Sequence, residues 1–223
     1  MKTNNVWAVI PAHNEESNIS SIINKAKRHV AKVIVVDDGS TDKTRQLGEN
    51  AGASVLKHII NLGKGAALKT GCDFAVKNGA KFLITLDADA QHNPDDIPRF
   101  IEKLKKYDIV FSYRKASRKM PFVLRFGNWF ISNVASLLYK VRLHDTQSGF
   151  RAFSREAYQK IRWNARDYSM ESEMISRAGK QNLKYVQIPI ETIYSDRYKG
   201  TTVIDGIKIV LNMFWWRLFN GSR

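Results

Sequence analysis

Cysteine is almost absent: the 223-residue sequence has one, Cys72. A single cysteine excludes an internal disulfide framework and a four-cysteine metal site, so we expect a reducing compartment. Cys72 lies inside an apolar helical pattern, which favours a place in the hydrophobic core. With 43% hydrophobic residues the chain can build a sizeable core without cross-links, as one α/β domain with or without an appendage.

Long apolar runs are absent as well. A helix needs about 18 or more consecutive apolar residues to span a bilayer, and charged or amide side chains interrupt both of the longest candidates. These side chains are Arg125, Asn128, Asn133 and Lys140 in 122–141, and Asp205, Lys208, Asn212 and Arg217 in 203–219. The first residues also lack the basic and apolar regions of a signal peptide. We therefore expect a cytoplasmic protein that does not cross a membrane by itself.

Acidic residues are in the minority. The sequence has 21 Asp and Glu against 36 Lys and Arg, which gives a formal net charge of +15. Such an excess favours polyanionic partners. Nucleic acid, an anionic membrane surface and a phosphorylated substrate all stay open at this point, because composition does not rank them.

Strand and helix patterns alternate along the chain, which predicts a mainly parallel sheet with flanking crossover helices. Strands are predicted at 6–10, 32–36, 54–58, 81–86, 108–113 and 184–190. Helices are predicted at 17–29, 41–50, 64–77, 93–106, 170–180 and 203–219, and a turn-rich segment at 145–153. Asn14 is a possible cap of the first helix. Ligands of such sheets collect beyond the carboxyl ends of the strands, and the polar clusters of this sequence lie there.

The segment TLDADAQHNP at 85–94 places two aspartates, Asp87 and Asp89, directly after an apolar strand. Successive side chains of a strand point to opposite faces, so the two carboxylates can point the same way. No Lys or Arg lies within the segment, and carboxylates at the edge of a core are costly unless paired. A hard divalent cation is the natural partner. The alternative, that both aspartates cap the next helix, is disfavoured because Asn93 already holds that position.

Two acid-rich turns follow the first two predicted strands, PAHNEE at 11–16 and VVDDGSTD at 35–42. Their carboxylates can accept hydrogen bonds from a base and a ribose, although Ser40 or Thr41 can equally cap the next helix. After the third strand, NLGKG at 61–65 contains glycines that permit close backbone approach. Lys64 opens a helix there toward any phosphate nearby. This segment matches neither a Walker loop nor the dinucleotide fingerprint.

The motifs PAHNEE, VVDDGSTD, NLGKG, LDADAQ and DTQSGFRAF, in this order, resemble those of the family-two inverting glycosyltransferases, specifically the branch similar to dolichyl-phosphate mannosyltransferase. The resemblance covers 6–202 and implies an α/β fold of the GT-A type. It implies a nucleotide-sugar donor, with GDP-mannose favoured over UDP-glucose, and Mg²⁺ or Mn²⁺ on the donor diphosphate. The implied metal ligands are Asp87, Asp89 and Gln91. The implied donor contacts are Pro11, Asn14, Glu15, Asp37 and Asp38, and we expect Lys64 to join them.

The resemblance also implies a polyprenyl phosphate acceptor. The phosphate oxygen is already anionic, so this acceptor needs no general base, unlike a sugar hydroxyl. In this branch arginines hold the lipid phosphate, and Arg114 and Arg125 match the two positions. Together with Asp89, these arginines are the expected residues of the reaction centre.

Two further arginines are expected to bind substrate, Arg151 in the SGFR motif and Arg197 near the C-terminus. Around Arg197 the chain reads SDRYKGTTV, whereas the branch usually has a glycine-x-serine-lysine loop over the diphosphate. Thr201 and Thr202 replace the later part of this pattern, and the lysine after it is missing. The donor's identity therefore stays open.

We divide the chain into a glycosyltransferase domain at 1–202 and an amphipathic C-terminal helix at 203–223. Apolar residues recur at helical spacing in this helix, next to paired tryptophans of the kind found at lipid interfaces. They are Ile204, Ile207, Leu211, Phe214, Trp215 and Leu218. We expect peripheral contact with the cytoplasmic face of a membrane. The alternative is packing on the domain or on a membrane-protein partner.

Three other functions compete with this one. Transfer to a saccharide hydroxyl would need a catalytic carboxylate, for which Glu171, Glu173 or Asp145 could serve. A nucleic-acid-binding module is suggested only by the charge, and the acidic turns would repel phosphate, so no nucleic-acid partner is expected. A sugar nucleotidyltransferase should open with a glycine-rich loop where this chain has PAHNEE.

Overall fold

The computed structural model describes residues 5–114, 141–167 and 169–191, together with positions 133, 136 and 137. The strands are β1 (Val6–Ala12), β2 (Lys32–Asp38), β3 (Ser54–His58), β4 (Phe82–Thr85), β5 (Ile109–Arg114), β6 (Arg151–Ser154) and β7 (Tyr185–Ile190). The helices are α1 (Ile19–Ala26), α2 (Thr44–Asn50), α3 (Lys64–Lys77), α4 (Ile97–Lys103), α5 (Arg155–Ile161) and α6 (Met170–Lys180).

One seven-stranded sheet organises the domain, in the order β3-β2-β1-β4-β6-β5-β7. The pairs β1–β2, β1–β4, β2–β3 and β5–β7 are parallel, whereas β6 runs antiparallel to both β4 and β5. The predicted α/β fold with a mainly parallel sheet is confirmed. Strand β6 and helix α5 were not predicted from the sequence. Four residues are too few to give β6 a recognisable alternation, and its first three fall inside the segment predicted as turns.

The hydrophobic core lies on both faces of the sheet, because successive side chains of a strand point opposite ways. Val9 of β1 packs into a cluster with Leu68 and Cys72 of α3, and the next residue, Ile10, packs into a second cluster with Phe100 of α4. The core position predicted for Cys72 is confirmed. With both faces covered, the carboxyl ends of the strands form the edge that a ligand can reach.

Two predicted caps have different outcomes. Asn93 caps the turn before α4, since its side chain accepts a hydrogen bond from the backbone N–H of Asp95 at 3.2 Å. The prediction that Asn14 caps the first helix is wrong. Asn14 has a φ of 55°, which asparagine tolerates, and its Oδ1 accepts from the backbone N–H of Thr41 at 2.9 Å. It thereby joins the two acid-rich turns.

Arg125, Arg197 and the amphipathic segment at 203–223 lie outside the described residues, so their roles stay predictions, as does the domain boundary at residue 202. Within the described ranges, no helix is long and apolar enough to cross a membrane.

Candidate active site

The two acid-rich turns meet beyond the carboxyl ends of β1 and β2. The backbone N–H of Asn14 donates to Ser40 Oγ at 3.0 Å, and that of Glu15 donates to Thr44 Oγ1 at 2.7 Å. Pro11 is half-buried in β1 directly before them. The structure therefore brings Asn14 against the second turn and Glu15 against the start of α2. Their contact with a nucleoside stays a prediction.

The two aspartates at the end of β2 point in different directions, as successive strand residues must. Asp37 closes its own turn, where its Oδ1 accepts from the backbone N–H of Ser40 at 3.0 Å. Asp38 accepts from the backbone N–H groups of Leu62 and Gly63, both at 2.9 Å. Asp38 thus holds the loop that leads into α3. This position favours a structural role for Asp38 over the predicted nucleoside contact.

A buried ion cluster lies beyond the end of β4. Lys64, the first residue of α3, places its Nζ 2.7 Å from Asp87 Oδ1 and 3.0 Å from Glu171 Oε1. Burial acts to lower the pKa of Lys64, but the two carboxylates raise it well above its ordinary value, so the ammonium stays charged. Burial likewise acts to raise the pKa of Asp87, but Lys64 and His92 hold it below its usual range.

Asp89 has a different environment, although it is only two residues from Asp87. Burial and the negative charge of Asp87 raise the pKa of Asp89 to about 6. Its Oδ1 accepts from the backbone N–H of Gln91 at 3.0 Å, in a turn where Ala90 has a φ of 61°. The negative charge of Asp87 thus raises the pKa of Asp89, in agreement with the repulsion that the sequence predicts between the two carboxylates.

The oxygen chemistry of Asp87 and Asp89 fits Mg²⁺ or Mn²⁺, which take carboxylate and phosphate oxygens. A cation would also relieve the repulsion that raises the pKa of Asp89. In the part of the chain that the structure describes, no group of three or more His, Cys, Asp or Glu side chains forms a closed metal cage. Of the described side chains, those of Asp87 and Asp89 would hold the cation. Gln91 is half-buried in the same turn, and its place as a third ligand stays a prediction.

Two residues to which the sequence analysis gave no role pack against the ion cluster. A side-chain carbon at Gly149 would lie 2.6 Å from Asp87 Oδ2 and 2.8 Å from Lys64 Nζ, so any other residue there would have to displace the ion pair. His92 is buried with its Nδ1 3.8 Å from Asp87 Oδ2, and burial lowers its pKa. The SGFR motif contains Gly149 and could have identified it as a candidate site residue. A buried His92 has no comparable signal in the sequence.

Arg114 ends β5 and forms a two-pronged ion pair with Asp145. Its Nε lies 2.6 Å from Asp145 Oδ2, and its Nη2 lies 3.3 Å from Oδ1. Burial acts to raise the pKa of Asp145, but Arg114 lowers it below the usual range. The Arg114 side chain keeps 16% exposure while Asp145 keeps 2%. Asp145 therefore orients a guanidinium that a solute can still reach, and the predicted phosphate contact of Arg114 stays a prediction.

Arg151 lies beneath the site. It is 2% exposed, and its guanidinium donates to the carbonyl oxygens of Thr146, Ser148 and Glu171 at 2.7, 2.9 and 3.1 Å. These bonds fasten the loop before β6 to α6. The position favours a role in holding this loop over the substrate contact predicted for Arg151.

This combination of sheet order, acid-rich turns and paired aspartates can be compared with known proteins. The family model described as "Glycosyl transferase family 2" matches residues 7–162, more than half of the chain. The chain belongs to this family. The resemblance noted from the motifs is thereby confirmed, and the chain is a glycosyltransferase.

Relatives of this family 2 glycosyltransferase cover nearly its whole length. It is 32% identical to the UDP-N-acetylglucosamine–dolichyl-phosphate N-acetylglucosaminyltransferase of Methanococcus voltae, over 96% of each chain. It is 28% identical to the polyprenol monophosphomannose synthase of Mycolicibacterium smegmatis, over 95% of this chain and 85% of that protein. Among solved structures, glucosyl-3-phosphoglycerate synthase from Mycobacterium tuberculosis with Mn²⁺ and uridine-diphosphate-glucose gives a TM-score of 0.73 at 21% identity, over 96% of this chain and 78% of that one. That likeness supports the GT-A type fold.

Proposed function

We propose that this glycosyltransferase moves a hexosyl group, with inversion, from a nucleotide sugar to a polyprenyl phosphate, and that it depends on Mg²⁺ or Mn²⁺. The observation that carries the proposal is the carboxylate pair Asp87 and Asp89 beyond β4, with the charged Lys64 beside it. At this edge of the sheet, the two carboxylates could bind a divalent cation, and the ammonium could contact the diphosphate that carries it. Relatives whose names include dolichyl phosphate and undecaprenyl phosphate support a lipid phosphate as the acceptor.

The residues of the site would divide the chemistry as follows. A bound cation would stabilise the negative charge that develops on the leaving diphosphate. Lys64 would add a second positive charge to the same group, because its ammonium stays protonated in the site. Arg114, oriented by Asp145, would hold the acceptor phosphate in line with the sugar. The acceptor oxygen is an anion, so no side chain has to remove a proton from it.

The carboxylate environments favour this acceptor over a saccharide hydroxyl, which would need a general base. Asp145 is paired with Arg114. Glu173 accepts from two backbone N–H groups through Oε2, at 2.9 and 2.8 Å, and from Arg177 through Oε1. Glu171 is the remaining candidate, and its carboxylate is already paired with the Lys64 ammonium at 3.0 Å.

For the donor we favour GDP-mannose, with the nucleoside against Pro11, Asn14, Glu15 and Asp37. The M. voltae relative is named for UDP-N-acetylglucosamine, so that donor is the main competitor. We place the protein peripherally on the cytoplasmic face of a membrane, where both a soluble donor and a lipid acceptor are within reach.

The test is to incubate purified protein with a polyprenyl phosphate, Mn²⁺ and, separately, GDP-mannose, UDP-glucose and UDP-N-acetylglucosamine, and to weigh any lipid product by mass spectrometry. The matched control is the same polyprenol without its phosphate, which should give no product. A chelator and the Asp89→Ala variant should each abolish transfer. A wild type that ignores every lipid phosphate and glycosylates a saccharide would overturn the proposal.

A further inference from the structure

Lys64 lies between two carboxylates that differ in access to solvent. The Asp87 side chain is 22% exposed, and that of Glu171 is 2% exposed, although their oxygens lie at similar distances from Nζ, 2.7 and 3.0 Å. A cation that arrives from solvent can therefore reach Asp87 but not Glu171.

Glu171 has Lys64 as its ion-pair partner. Its Oε1 has the ammonium at 3.0 Å, and its Oε2 has no hydrogen-bond partner in the part of the chain that the structure describes. A buried carboxylate is costly unless it is paired. Moving the ammonium away would leave the buried Glu171 carboxylate without its ion-pair partner, and the charge of Arg151 would offset this loss in part. The same move would cost Asp87 less, because water or a cation can replace the ammonium there.

We propose that Glu171 is the fixed partner of Lys64 and that Asp87 is the exchangeable one. When a divalent cation binds Asp87 and Asp89, Lys64 stays with Glu171 and its ammonium remains in the site for the donor diphosphate. Gly149 lies beside this ammonium, since a side-chain carbon added there would be 2.8 Å from Nζ. Glu171 is then a positioning residue that acts through Lys64. This inference rests on the metal site of the proposed function.

The first test needs no metal and no substrate. Thermal unfolding is measured in the presence of a chelator for two double-mutant cycles. One cycle combines Lys64→Met with Glu171→Gln, and the other combines Lys64→Met with Asp87→Asn. Each cycle also includes the wild type and both single variants. Lys64→Met should lower Tm because it leaves Glu171 unpaired. Adding Glu171→Gln should restore most of the loss, and adding Asp87→Asn should restore less. A stronger coupling of Lys64 to Asp87 than to Glu171 would overturn the proposal.

The second test measures Mn²⁺ binding by the full chain, with folding checked by circular dichroism. In Glu171→Gln, Lys64 loses its pairing with Glu171, stays at Asp87 and competes there with the cation, so the Kd for Mn²⁺ should rise about tenfold. Glu156→Gln removes the same charge from an exposed position on α5 and should leave the Kd unchanged. In the Lys64→Met background the effect of Glu171→Gln should disappear.

Equal weakening by Glu171→Gln in both backgrounds would mean that Glu171 attracts the cation directly, and would sink the positioning role. A wild type without affinity for Mn²⁺ would sink it too. Lipid product in the donor panel would in that case still support transfer to polyprenyl phosphate, so the two failures are distinguishable.

Discussion

At the scale of the residue, Asp89 makes a prediction about pH. Its pKa of about 6 exceeds the ordinary 3.8, so between about pH 4 and pH 6 the native protein holds a proton that the unfolded chain has released. The stability of the metal-free protein should therefore fall as pH rises through this window and stay lower above it. Asp89→Asn should abolish the fall and stabilise the metal-free protein at pH 7 by about 1–2 kcal/mol. Urea unfolding across the pH range measures both.

The control for this prediction is Asp95→Asn. The Asp95 carboxylate accepts a hydrogen bond from His29, which lowers the pKa of Asp95. Removing this carboxylate should therefore leave the fall in stability between about pH 4 and pH 6 unchanged. Adding Mn²⁺ at pH 7 should stabilise the wild type and have no effect on Asp89→Asn. A wild type with flat stability over the window would contradict the repulsion between Asp87 and Asp89.

Arg114 makes the second prediction at this scale. If it holds the lipid phosphate, Arg114→Ala should raise the apparent KM for polyprenyl phosphate about tenfold or more and leave nucleotide-sugar binding unchanged. Arg114→Lys should not restore the KM, because lysine cannot keep the two-pronged pair with Asp145. Initial rates over a range of lipid phosphate give both values.

The matched control is Arg162→Ala, which breaks a similar two-pronged pair with Asp73 on the surface. This variant should leave the KM for lipid phosphate as it is. An equal effect of Arg114→Ala on every acceptor, phosphate or not, would contradict the role of Arg114.

The sequence singles out individual candidate residues where the signal is local. Asp87 and Asp89 stand out because two like charges follow a buried strand, and Lys64 because it opens a helix after glycine. Glu171 was suggested only as the base of an alternative reaction. Its contact with Lys64 joins the start of α3 to α6, and no spacing in the sequence encodes such a contact.

At the scale of the element, the loop before β6 forms one wall of the ion cluster, and Gly149→Ala tests it. The added carbon would meet the Asp87 carboxylate at 2.6 Å and the Lys64 ammonium at 2.8 Å. Because Thr85 Oγ1 also donates to the Gly149 carbonyl at 2.8 Å, the loop cannot withdraw without losing that bond. We expect a loss of about 1–3 kcal/mol in unfolding free energy and weaker Mn²⁺ binding.

The control is Gly48→Ala in α2. An added carbon there meets only side chains, the nearest being Val55 Cγ2 at 3.3 Å, so stability should change little and Mn²⁺ binding should not change. Unfolding in urea and Mn²⁺ titration are run on both variants. Normal Mn²⁺ affinity in Gly149→Ala would contradict the role of this loop.

The loop between β3 and α3 depends on Asp38. Comparing Asp38→Ala with Asp37→Ala separates support of this loop from binding of the donor. Asp38→Ala would leave two backbone N–H groups without their acceptor and release His58, whose Nδ1 lies 2.6 Å from Asp38 Oδ1, so we expect about 2–4 kcal/mol of destabilisation. Asp37→Ala removes one turn bond, at about 1 kcal/mol, and should mainly raise the KM for the donor. Stability is measured by urea unfolding and the KM by donor kinetics. A large loss of stability in Asp37→Ala, with a raised donor KM in Asp38→Ala, would contradict these two roles.

Elements were predictable where the hydrophobic period extends over enough residues. The strands that became β1 to β5 and β7, and the long helix α3, were all predicted from sequence. The antiparallel β6 was not, because RAFS is short and follows a glycine in a motif that suggests a turn. The position of β6 between β4 and β5 is a tertiary feature that pairs residues distant in sequence.

At the scale of the whole molecule, charge has two separate roles. The formal net charge is +15, yet the ligand edge of the sheet carries the aspartates of three turns. A cation-bound diphosphate suits that edge. We expect the basic excess to attract a larger anionic surface, which for a lipid acceptor would be the membrane.

The last prediction follows from this excess. Attraction to anionic lipid should weaken with salt, because the Debye length falls from about 10 Å at 0.1 M to about 3 Å at 1 M. The protein should float with vesicles that contain phosphatidylglycerol at low salt and be largely released at about 1 M salt. Vesicles of phosphatidylcholine alone should bind it less. Any vesicle binding that persists at high salt should depend on apolar contact with the lipid. The double variant Phe214→Ser with Trp215→Ser should reduce this binding.

Transfer to a short, detergent-soluble polyprenyl phosphate separates membrane contact from catalysis. The double variant should keep this activity, because its changes lie on the predicted amphipathic helix and not among the residues around Asp87. If the double variant instead loses transfer in detergent as well, the helix packs on the domain or on a partner and not on lipid. If wild-type binding to anionic vesicles is insensitive to salt, the basic excess has another partner.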